Sequence, residues 1–167
     1  LVGSEMCIRD RYVTIDEIPL DLQHAFVAIE DERFYDHNGI DLHGIARAFI
    51  SGLSKGRFSE GASTITQQLI KNNVLTSWTS ETSFVEKLQR KIQEQYLALE
   101  LEKQVKDKDW ILENYMNSVN LGANTLGVQA ASKKYFNKDV SELTLSEASV
   151  IAGITQNPSG YNPVSYT

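Results

Sequence analysis

The chain has 167 residues, of which 41% are hydrophobic, and this is enough for one domain with a sizeable core. The formal net charge of −6 and the lack of a lysine or arginine tract argue against a nucleic-acid partner. Cys7 is the single cysteine, so an internal disulfide and a cysteine-based zinc site are excluded. The sequence has no apolar stretch of about 18 residues that would predict a membrane-spanning helix.

The residues before position 63 predict two helices joined by a turn. The first begins at Pro19 and carries apolar residues at helical spacing, and we expect it to end near Tyr35. Asn38-Gly39 is typical of a turn, after which Asp41 can cap a second helix that ends at Gly56. The serine-, glycine- and lysine-rich residues 54–62 predict a mobile loop.

Two capping patterns follow this loop. Thr64-x-x-Gln67 predicts a helix whose N-terminal N–H groups face the loop. Ser83-x-x-Glu86 predicts another helix after the polar residues 76–82. Five apolar residues recur at helical spacing on this helix, and we expect them to form core: Phe84, Leu88, Ile92, Tyr96 and Leu99.

The C-terminal third also has helical patterns. Asp107 can open a helix, residues 125–136 have helical spacing, and Thr144-x-x-Glu147 predicts a last helix that ends at Ile154. In half-buried strands apolar and polar residues alternate, and no segment of this sequence has that pattern. The sequence therefore predicts a single all-α domain.

An acidic cluster suggests where chemistry takes place. Residues 30–39 hold four acidic side chains, a phenylalanine and a histidine, directly after the apolar run 25–29. A carboxylate at the end of an apolar helix lies between low and high dielectric, where a general base can be made. Glu30 is our candidate for this base, and the ordinary alternative is a solvated acid on a helix face.

Four more blocks follow: GASTITQQLIKN at 61–72, RKIQEQ at 90–95, ILENYMN at 111–117 and TQNPSGYNP at 155–163. Together with residues 30–39, they resemble the family 51 glycosyltransferases over about residues 13–163. This family comprises the peptidoglycan glycosyltransferase domain of bifunctional penicillin-binding proteins and the monofunctional transglycosylases. The resemblance implies polymerisation of lipid II, a disaccharide-pentapeptide on undecaprenyl diphosphate, into glycan strands with inversion.

The resemblance also implies roles for individual residues. Glu30 would remove the proton of the acceptor's 4-hydroxyl, and Glu94 would be a second catalytic carboxylate that positions the acceptor or the leaving group. The residues that would line the substrate site are Asp31, Phe34, His37, Thr64, Gln68, Lys71, Asn72 and Arg90. Arg90, and Lys71 with the N-terminus of its helix, would hold the diphosphate. We expect Phe34 to be mainly a packing anchor and His37 a hydrogen-bonded scaffold residue.

From spacing alone, other interpretations of these residues stay open. Lys71 could be an ordinary surface lysine, and Arg90 with Glu94 a solvated i, i+4 ion pair. A lysozyme-like muramidase would use Glu30 and Glu94 as a glycosidase pair, and a third possibility is a noncatalytic peptidoglycan-associated scaffold. Lys71 and Arg90 distinguish the transferase, because a hydrolase of ordinary glycosides has no diphosphate to hold.

The resemblance implies a lysozyme-like helical fold, with residues 12–167 as the glycosyltransferase domain and 1–11 as an artefact or unrelated segment. We expect the chain to be a fragment that lacks the family's membrane anchor and any transpeptidase domain. Expected partners are lipid II, the growing glycan strand, the membrane surface and a moenomycin-type inhibitor, at the outer face of the bacterial plasma membrane. Apolar residues in 50–62 and 74–85 would touch the bilayer. A divalent cation, Mg²⁺ or Mn²⁺, can act on the diphosphate without a dedicated protein site.

Overall fold

Seven α-helices and two 3₁₀ helices make up the part of the chain that the computed structural model describes, residues 11–55, 63–75, 83–161 and 163. The α-helices are α1 Leu20–Glu30, α2 Leu42–Lys55, α3 Ile65–Asn73, α4 Phe84–Val105, α5 Lys108–Ser118, α6 Val128–Phe136 and α7 Leu145–Ile154, and the 3₁₀ helices span Ile15–Glu17 and Val140–Glu142. Within the described ranges there is no strand, and Asn120 and Leu126 form an isolated bridge. The all-α prediction is confirmed.

The helix starts follow the predicted capping residues. The side-chain oxygens of Thr64, Ser83 and Thr144 each accept a hydrogen bond from the backbone N–H three residues later. Asp41 accepts from the third N–H after it, and Asp107 from the second and third. These bonds satisfy N–H groups that have no partner inside the helix, which is why each helix begins where it does.

The first turn of α7 has an additional ion pair. Lys138 Nζ lies 2.7 and 2.9 Å from the two carboxylate oxygens of Glu147. The Thr144 N–H also donates to this carboxylate, at 2.9 Å. These hydrogen bonds lower the pKa of Glu147 to about 2, and the one from Lys138 has the largest effect.

Two predicted boundaries are wrong, and some lie outside the described residues. α1 ends at Glu30 rather than near Tyr35, because the chain then enters a turn in which Phe34 N–H donates to the Asp31 carbonyl at 2.9 Å. α6 begins at Val128, three residues after the predicted start at 125. Gly56, residues 1–10, most of the predicted loop 54–62 and all of 76–82 are among the residues that are not described.

The chain divides into two units, Phe26–Tyr115 and Leu1–Ala25 with Met116–Thr167. In the first, the buried apolar residues include Phe26, Phe34, Ile65, Leu69, Ile111, Leu112 and Tyr115. In the second, they include Val13, Leu22, Met116, Leu121, Val128, Ile151 and Ile154. Every residue predicted for the site lies in Phe26–Tyr115, which we call the site unit.

The apolar face of α4 is exposed, which corrects the core predicted there. Four residues of the stripe are 43–62% exposed: Leu88, Ile92, Tyr96 and Leu99. The side chain of Phe84 is not among those described. The buried face instead carries Glu94, Ala98 and Glu102. Both carboxylates form ion pairs, which offset the cost of burying their charge. None of the described helices is long and apolar enough to cross a bilayer.

Gly39 ties the turn after α1 to α3 and α4. Its φ of +85° lies in the left-handed region, and a Cβ there would be 2.7 Å from the Ala98 carbonyl oxygen. Its own carbonyl accepts hydrogen bonds from Thr64 Oγ1 at 2.7 Å and Gln67 Nε2 at 3.4 Å. Only glycine fits this close approach without strain, so the predicted Asn38-Gly39 turn is confirmed and has a packing reason.

Candidate active site

Glu30 is the last residue of α1 and is half-buried. The C-terminal end of a helix carries partial negative charge, which disfavours a carboxylate there. Gln68 on α3 counters this effect, because its Nε2 donates a 2.7 Å hydrogen bond to Oε2 of Glu30. The structure thus joins two predicted site residues that lie 38 positions apart in sequence.

Tyr115 on α5 extends this contact. Its hydroxyl donates a 3.2 Å hydrogen bond to Oε1 of Gln68, and its ring packs edge-on against Phe26 with centroids 6.0 Å apart. Burial raises the pKa of Tyr115 well above its ordinary value, and the charges of Glu30 and Asp31 raise it further. The hydroxyl therefore stays protonated at neutral pH and keeps its ability to donate.

Asp31 is almost fully buried and holds two segments together. Its two carboxylate oxygens lie 2.9 and 3.0 Å from Nε2 of His37, and Oδ2 also accepts the Ile65 N–H at 3.0 Å. The side chain of Asp31 is 3% exposed and that of His37 is 9% exposed. We call these three residues the Asp31 clasp. It fixes the turn after Glu30 to the start of α3, and His37 is a hydrogen-bonded scaffold residue as expected.

A second network is centred on Lys108, whose side chain is 21% exposed. Its Nζ donates to the His37 carbonyl at 2.6 Å, lies 2.6 Å from Oε2 of Glu102, and sits 4.5 Å from the centroid of the Phe34 ring. Oε1 of Glu102 accepts a 2.5 Å hydrogen bond from the Thr66 hydroxyl. Phe34 is fully buried, in agreement with its expected role as a packing anchor.

Arg90 and Lys91 share one buried counter-ion, Glu94. Arg90 donates to Oε1 of Glu94, and Lys91 Nζ lies 3.0 Å from Oε2. The side chain of Glu94 is 2% exposed, whereas those of Arg90 and Lys91 are 24% and 37% exposed. Lys91 also donates to Ser63 Oγ at 2.6 Å, just before α3. The pair of Arg90 and Glu94 is therefore not the solvated surface pair that spacing left open.

A polar cavity of about 130 Å³ opens beside Glu30. Arg33, Asp41, Arg47 and Ser63 also line it. Burial acts to raise the pKa of Asp41, but hydrogen bonds from Arg33 at 2.5 Å and from the Gly44 N–H lower it below its ordinary value. Acidic and basic groups thus face the same space, which suits a polar substrate better than an apolar one.

Lys71 and Asn72 are exposed in the last turn of α3. Lys71 was expected to hold the diphosphate together with the N-terminus of its own helix, and the two lie about 9 Å apart along the helix axis. The Ile65 N–H at that N-terminus is moreover bound to Asp31. Lys71 and Asn72 lie instead one turn beyond Gln68 on the same face, the face that reaches Glu30. Thr64 is buried and caps the helix.

Several residues of these networks were not among the predicted site residues, namely Thr66, Lys91, Glu102 and Lys108. Lys91 could have been found, because it is adjacent to Arg90 in the same block. Lys108 and Glu102 lie in no block and have no local pattern that marks them. Among the described residues, no three His, Cys, Asp or Glu side chains are grouped closely enough to hold a metal ion.

Comparison with known proteins finds a family model and several relatives that match this chain. The family model described as transglycosylase matches residues 4–167, so the match includes residues 4–11 that were expected to lie outside the domain. Penicillin-binding protein 1A of Clostridium botulinum (strain Langeland) is 48% identical over 168 residues, which is 97% of this chain and 19% of that protein.

Two further relatives carry the same name. Penicillin-binding protein 1A of Clostridium perfringens (strain 13) is 50% identical over 93% of this chain and 22% of that protein. That of Neisseria flavescens is 46% identical over 93% of this chain and 18% of its own length. The chain spans about a fifth of the length of these curated relatives. Since the family model covers nearly the whole chain, the chain belongs to the transglycosylase family.

Proposed function

We propose that this chain is the peptidoglycan glycosyltransferase unit of a bacterial cell-wall synthase and that it polymerises lipid II into glycan strands. The observation that carries the proposal is the position of Glu30, half-buried at the end of α1 with Oε2 hydrogen-bonded to Gln68. A carboxylate held in this way can take a proton without losing its orientation, as a general base must. Membership of the transglycosylase family supports the same reaction.

In the proposed reaction, Glu30 removes the proton from the 4-hydroxyl of the acceptor sugar while that oxygen attacks the anomeric carbon of the donor. The new bond forms on the face opposite the departing diphosphate, so the configuration inverts. The bond between the anomeric carbon and the diphosphate oxygen breaks, and its electron pair leaves with undecaprenyl diphosphate. Because this leaving group is a stabilised anion, positive side chains can do the work of a general acid.

We assign the diphosphate to Lys71 and Arg90. Arg90 can clamp two phosphate oxygens with its planar guanidinium, and Glu94 holds that guanidinium from the buried side. Glu94 is 2% exposed and its two oxygens are engaged by Arg90 and Lys91, so we propose that it acts through these cations rather than by touching substrate. Two positive charges against one negative charge leave this cluster cationic, which favours an anionic ligand.

We assign no step to a divalent cation. The described residues have no group of three ligand side chains for one, and Asp31 beside Glu30 is already bound within its clasp. Mg²⁺ or Mn²⁺ used in the reaction would therefore be held by the diphosphate itself, and the steps above are those of the protein's own residues.

The muramidase alternative requires Glu94 to act on a sugar or a water molecule. Glu94 would first have to give up its ion pairs with Arg90 and Lys91, and leaving either cation without its counter-ion is unfavourable. Glu94 is therefore committed to its two cations, which argues against its use with Glu30 as a glycosidase pair. A noncatalytic scaffold has no need for a half-buried carboxylate that is oriented by a hydrogen bond, as Glu30 is by Gln68.

We further propose that the site works at the outer face of the plasma membrane, where lipid II presents its diphosphate and disaccharide. A phosphoglycolipid inhibitor of the moenomycin type would compete on the donor side, because it offers a phosphate to the same Lys71 and Arg90. In the loops expected to touch the bilayer, 50–62 and 74–85, the side chains of 51–62 and 76–82 are not described. Ile50, Val74 and Val85 are described and are 58–68% exposed.

A polymerisation assay separates these functions. The chain is incubated with lipid II, Mg²⁺ and detergent, and in parallel with preformed glycan strands, after circular dichroism has confirmed a helical fold. We expect lysozyme-digestible polymer from lipid II and no cleavage of the strands. Cleavage without polymer would establish the muramidase, and a folded chain inactive in both assays would contradict the transferase.

A further inference from the structure

We propose that Tyr115 is a positioning residue for Glu30 and acts through the side-chain amide of Gln68. The inference rests on the proposed role of Glu30 as the base. Three helices of the site unit contribute to it: α1 ends at Glu30, α3 carries Gln68, and α5 carries Tyr115. The hydroxyl of Tyr115 lies 3.2 Å from Oε1 of Gln68, and Nε2 of Gln68 lies 2.7 Å from Oε2 of Glu30.

The chemistry of the three groups fixes the direction of both hydrogen bonds. An ionised carboxylate only accepts, so Glu30 requires the NH₂ end of the Gln68 amide. The amide oxygen then points away from Glu30 and needs a donor. A protonated Tyr115 hydroxyl at 3.2 Å is such a donor, so it favours the one amide orientation that supports the carboxylate.

Tyr115 is suited to hold this orientation. It is fully buried, and its ring is packed edge-on against Phe26, so its hydroxyl has little freedom to move. Burial raises the pKa of Tyr115 well above its ordinary value, so the hydroxyl remains a donor while Glu30 gains and loses its proton. Gln68 itself is only half-buried, and without this bond its amide can turn toward water.

The expected consequence is a change in the pH dependence of the reaction. When the Tyr115 hydroxyl is removed, the amide no longer has a fixed donor for its oxygen and donates less often to Glu30. The ionised form of Glu30 is then less favoured, so the acidic limb of the pH–rate profile moves to higher pH. The loss of one neutral hydrogen bond predicts about a 3- to 10-fold lower kcat/KM on the acidic limb, which corresponds to a displacement of that limb by roughly half to one pH unit.

Other charged groups near Glu30 do not change in this variant. Those lining the same cavity are Asp31, Glu32, Arg33, Asp41 and Arg47, and Lys71 lies one turn beyond Gln68 on α3. Tyr115→Phe leaves all of them in place and keeps the ring against Phe26. A shifted limb in this variant therefore reports on the contact between Gln68 and Glu30.

The experiment measures kcat/KM for lipid II polymerisation as a function of pH in Tyr115→Phe, Gln68→Ala and the double variant. Tyr135→Phe is the matched control, because it removes the hydroxyl of a half-buried tyrosine that donates to the Leu121 carbonyl at 2.6 Å in the other unit. We expect Tyr115→Phe to show the lower kcat/KM and the displaced acidic limb. In the Gln68→Ala background the same substitution should lower kcat/KM further by less than about 2-fold, since contacts in one network are not additive. Tyr135→Phe should keep the wild-type profile.

Two results would overturn the inference. One is a Tyr115→Phe profile whose acidic limb coincides with that of the wild type, and the other is an equal loss in the wild-type and Gln68→Ala backgrounds. Glu30→Gln, measured alongside, separates the two proposals. If Glu30→Gln polymerises lipid II normally, the assignment of the base is wrong; if it is inactive and Tyr115→Phe is normal, only the role of Tyr115 is wrong.

Discussion

Replacement of Asp31 by asparagine tests the Asp31 clasp with almost no change of shape. Asparagine has one oxygen, which at the position of Oδ2 can still accept from the Ile65 N–H. Its NH₂ then stands at the position of Oδ1, which lies 2.9 Å from Nε2 of His37. An NH₂ that faces His37 requires a lone pair on Nε2, so the proton must move to Nδ1. Nδ1 of His37 is buried and has no hydrogen-bond partner among the described residues.

The expected cost follows from these bonds. Two charge-assisted interactions of Asp31 become neutral at best, a loss of about 1 kcal/mol each, and a buried N–H without a partner costs about 1–3 kcal/mol more. Neutralising a buried acid next to Glu30 relieves some desolvation and repulsion, which reduces the sum. We therefore expect Asp31→Asn to lower the free energy of unfolding by about 2–4 kcal/mol.

Urea denaturation followed by circular dichroism measures this difference. Asp36→Asn is the matched control, since Asp36 is an exposed acid in the same turn, and its effect should stay within about 0.5 kcal/mol. A loss below about 1 kcal/mol in Asp31→Asn would show that the clasp does not hold the turn to α3.

Three further experiments, which use five substitutions, test the fold. Glu147 has a folded pKa of about 2, below its ordinary 4.5, so its ionised form stabilises the chain above about pH 4.5 and this stabilisation is lost as the pH falls toward 2. Between pH 4.5 and 2 the melting temperature of Glu147→Gln should therefore fall less than that of the wild type. Ile92→Ser should lower the free energy of unfolding by less than about 1 kcal/mol and Ile111→Ser by about 3 or more, measured in urea, because the two residues are 57% and 1% exposed. Gly39→Ala should cost about 2 kcal/mol or more from its left-handed φ and close contact, whereas Gly153→Ala in α7, with nothing within 4 Å, should stabilise by about 0.5–1 kcal/mol. Equal effects within either pair would contradict the packing described.

Local patterns in the sequence predicted the starts of helices. Thr64, Ser83 and Thr144 each cap a helix with an oxygen that binds an N–H three residues away, so the pattern and the contact involve the same few residues. The class of fold follows from these caps and from helical periodicity. The end of α1 was harder to place, because the turn after Glu30 is held by Ile65, far along the chain.

The inward face of α4 could not be predicted from its own sequence. Its apolar stripe has the spacing of a core-facing helix, yet the buried side carries Glu94 and Glu102. Glu102 is buried because Lys108 and Thr66 lie against it, and Thr66 is 36 positions away in sequence. Periodicity describes one helix at a time, and which face is buried depends on the partners that the fold supplies.

The site residues were found by their blocks, but their contacts were not. The bond between Glu30 and Gln68 joins residues 38 positions apart, and Tyr115 lies 47 positions from Gln68. No spacing within one helix predicts such pairs, since they exist only after α1, α3 and α5 pack together. Glu94 illustrates the same point, because the i, i+4 spacing shows its pairing with Arg90 but not its burial between Arg90 and Lys91.

The most direct test of the central claim compares Glu30→Gln with Glu32→Gln in the initial rate of lipid II polymerisation. Glutamine keeps the size of glutamate and one of its two acceptor oxygens, but it cannot take the proton. Glu32, two residues further on, lines the same cavity with a side chain that is 75% exposed, so it controls for the loss of one negative charge beside the site. If Glu30 is the general base, Glu30→Gln should be at least about 100-fold slower while Glu32→Gln stays close to wild type. A Glu30→Gln variant that polymerises within about 10-fold of the wild-type rate would contradict the account.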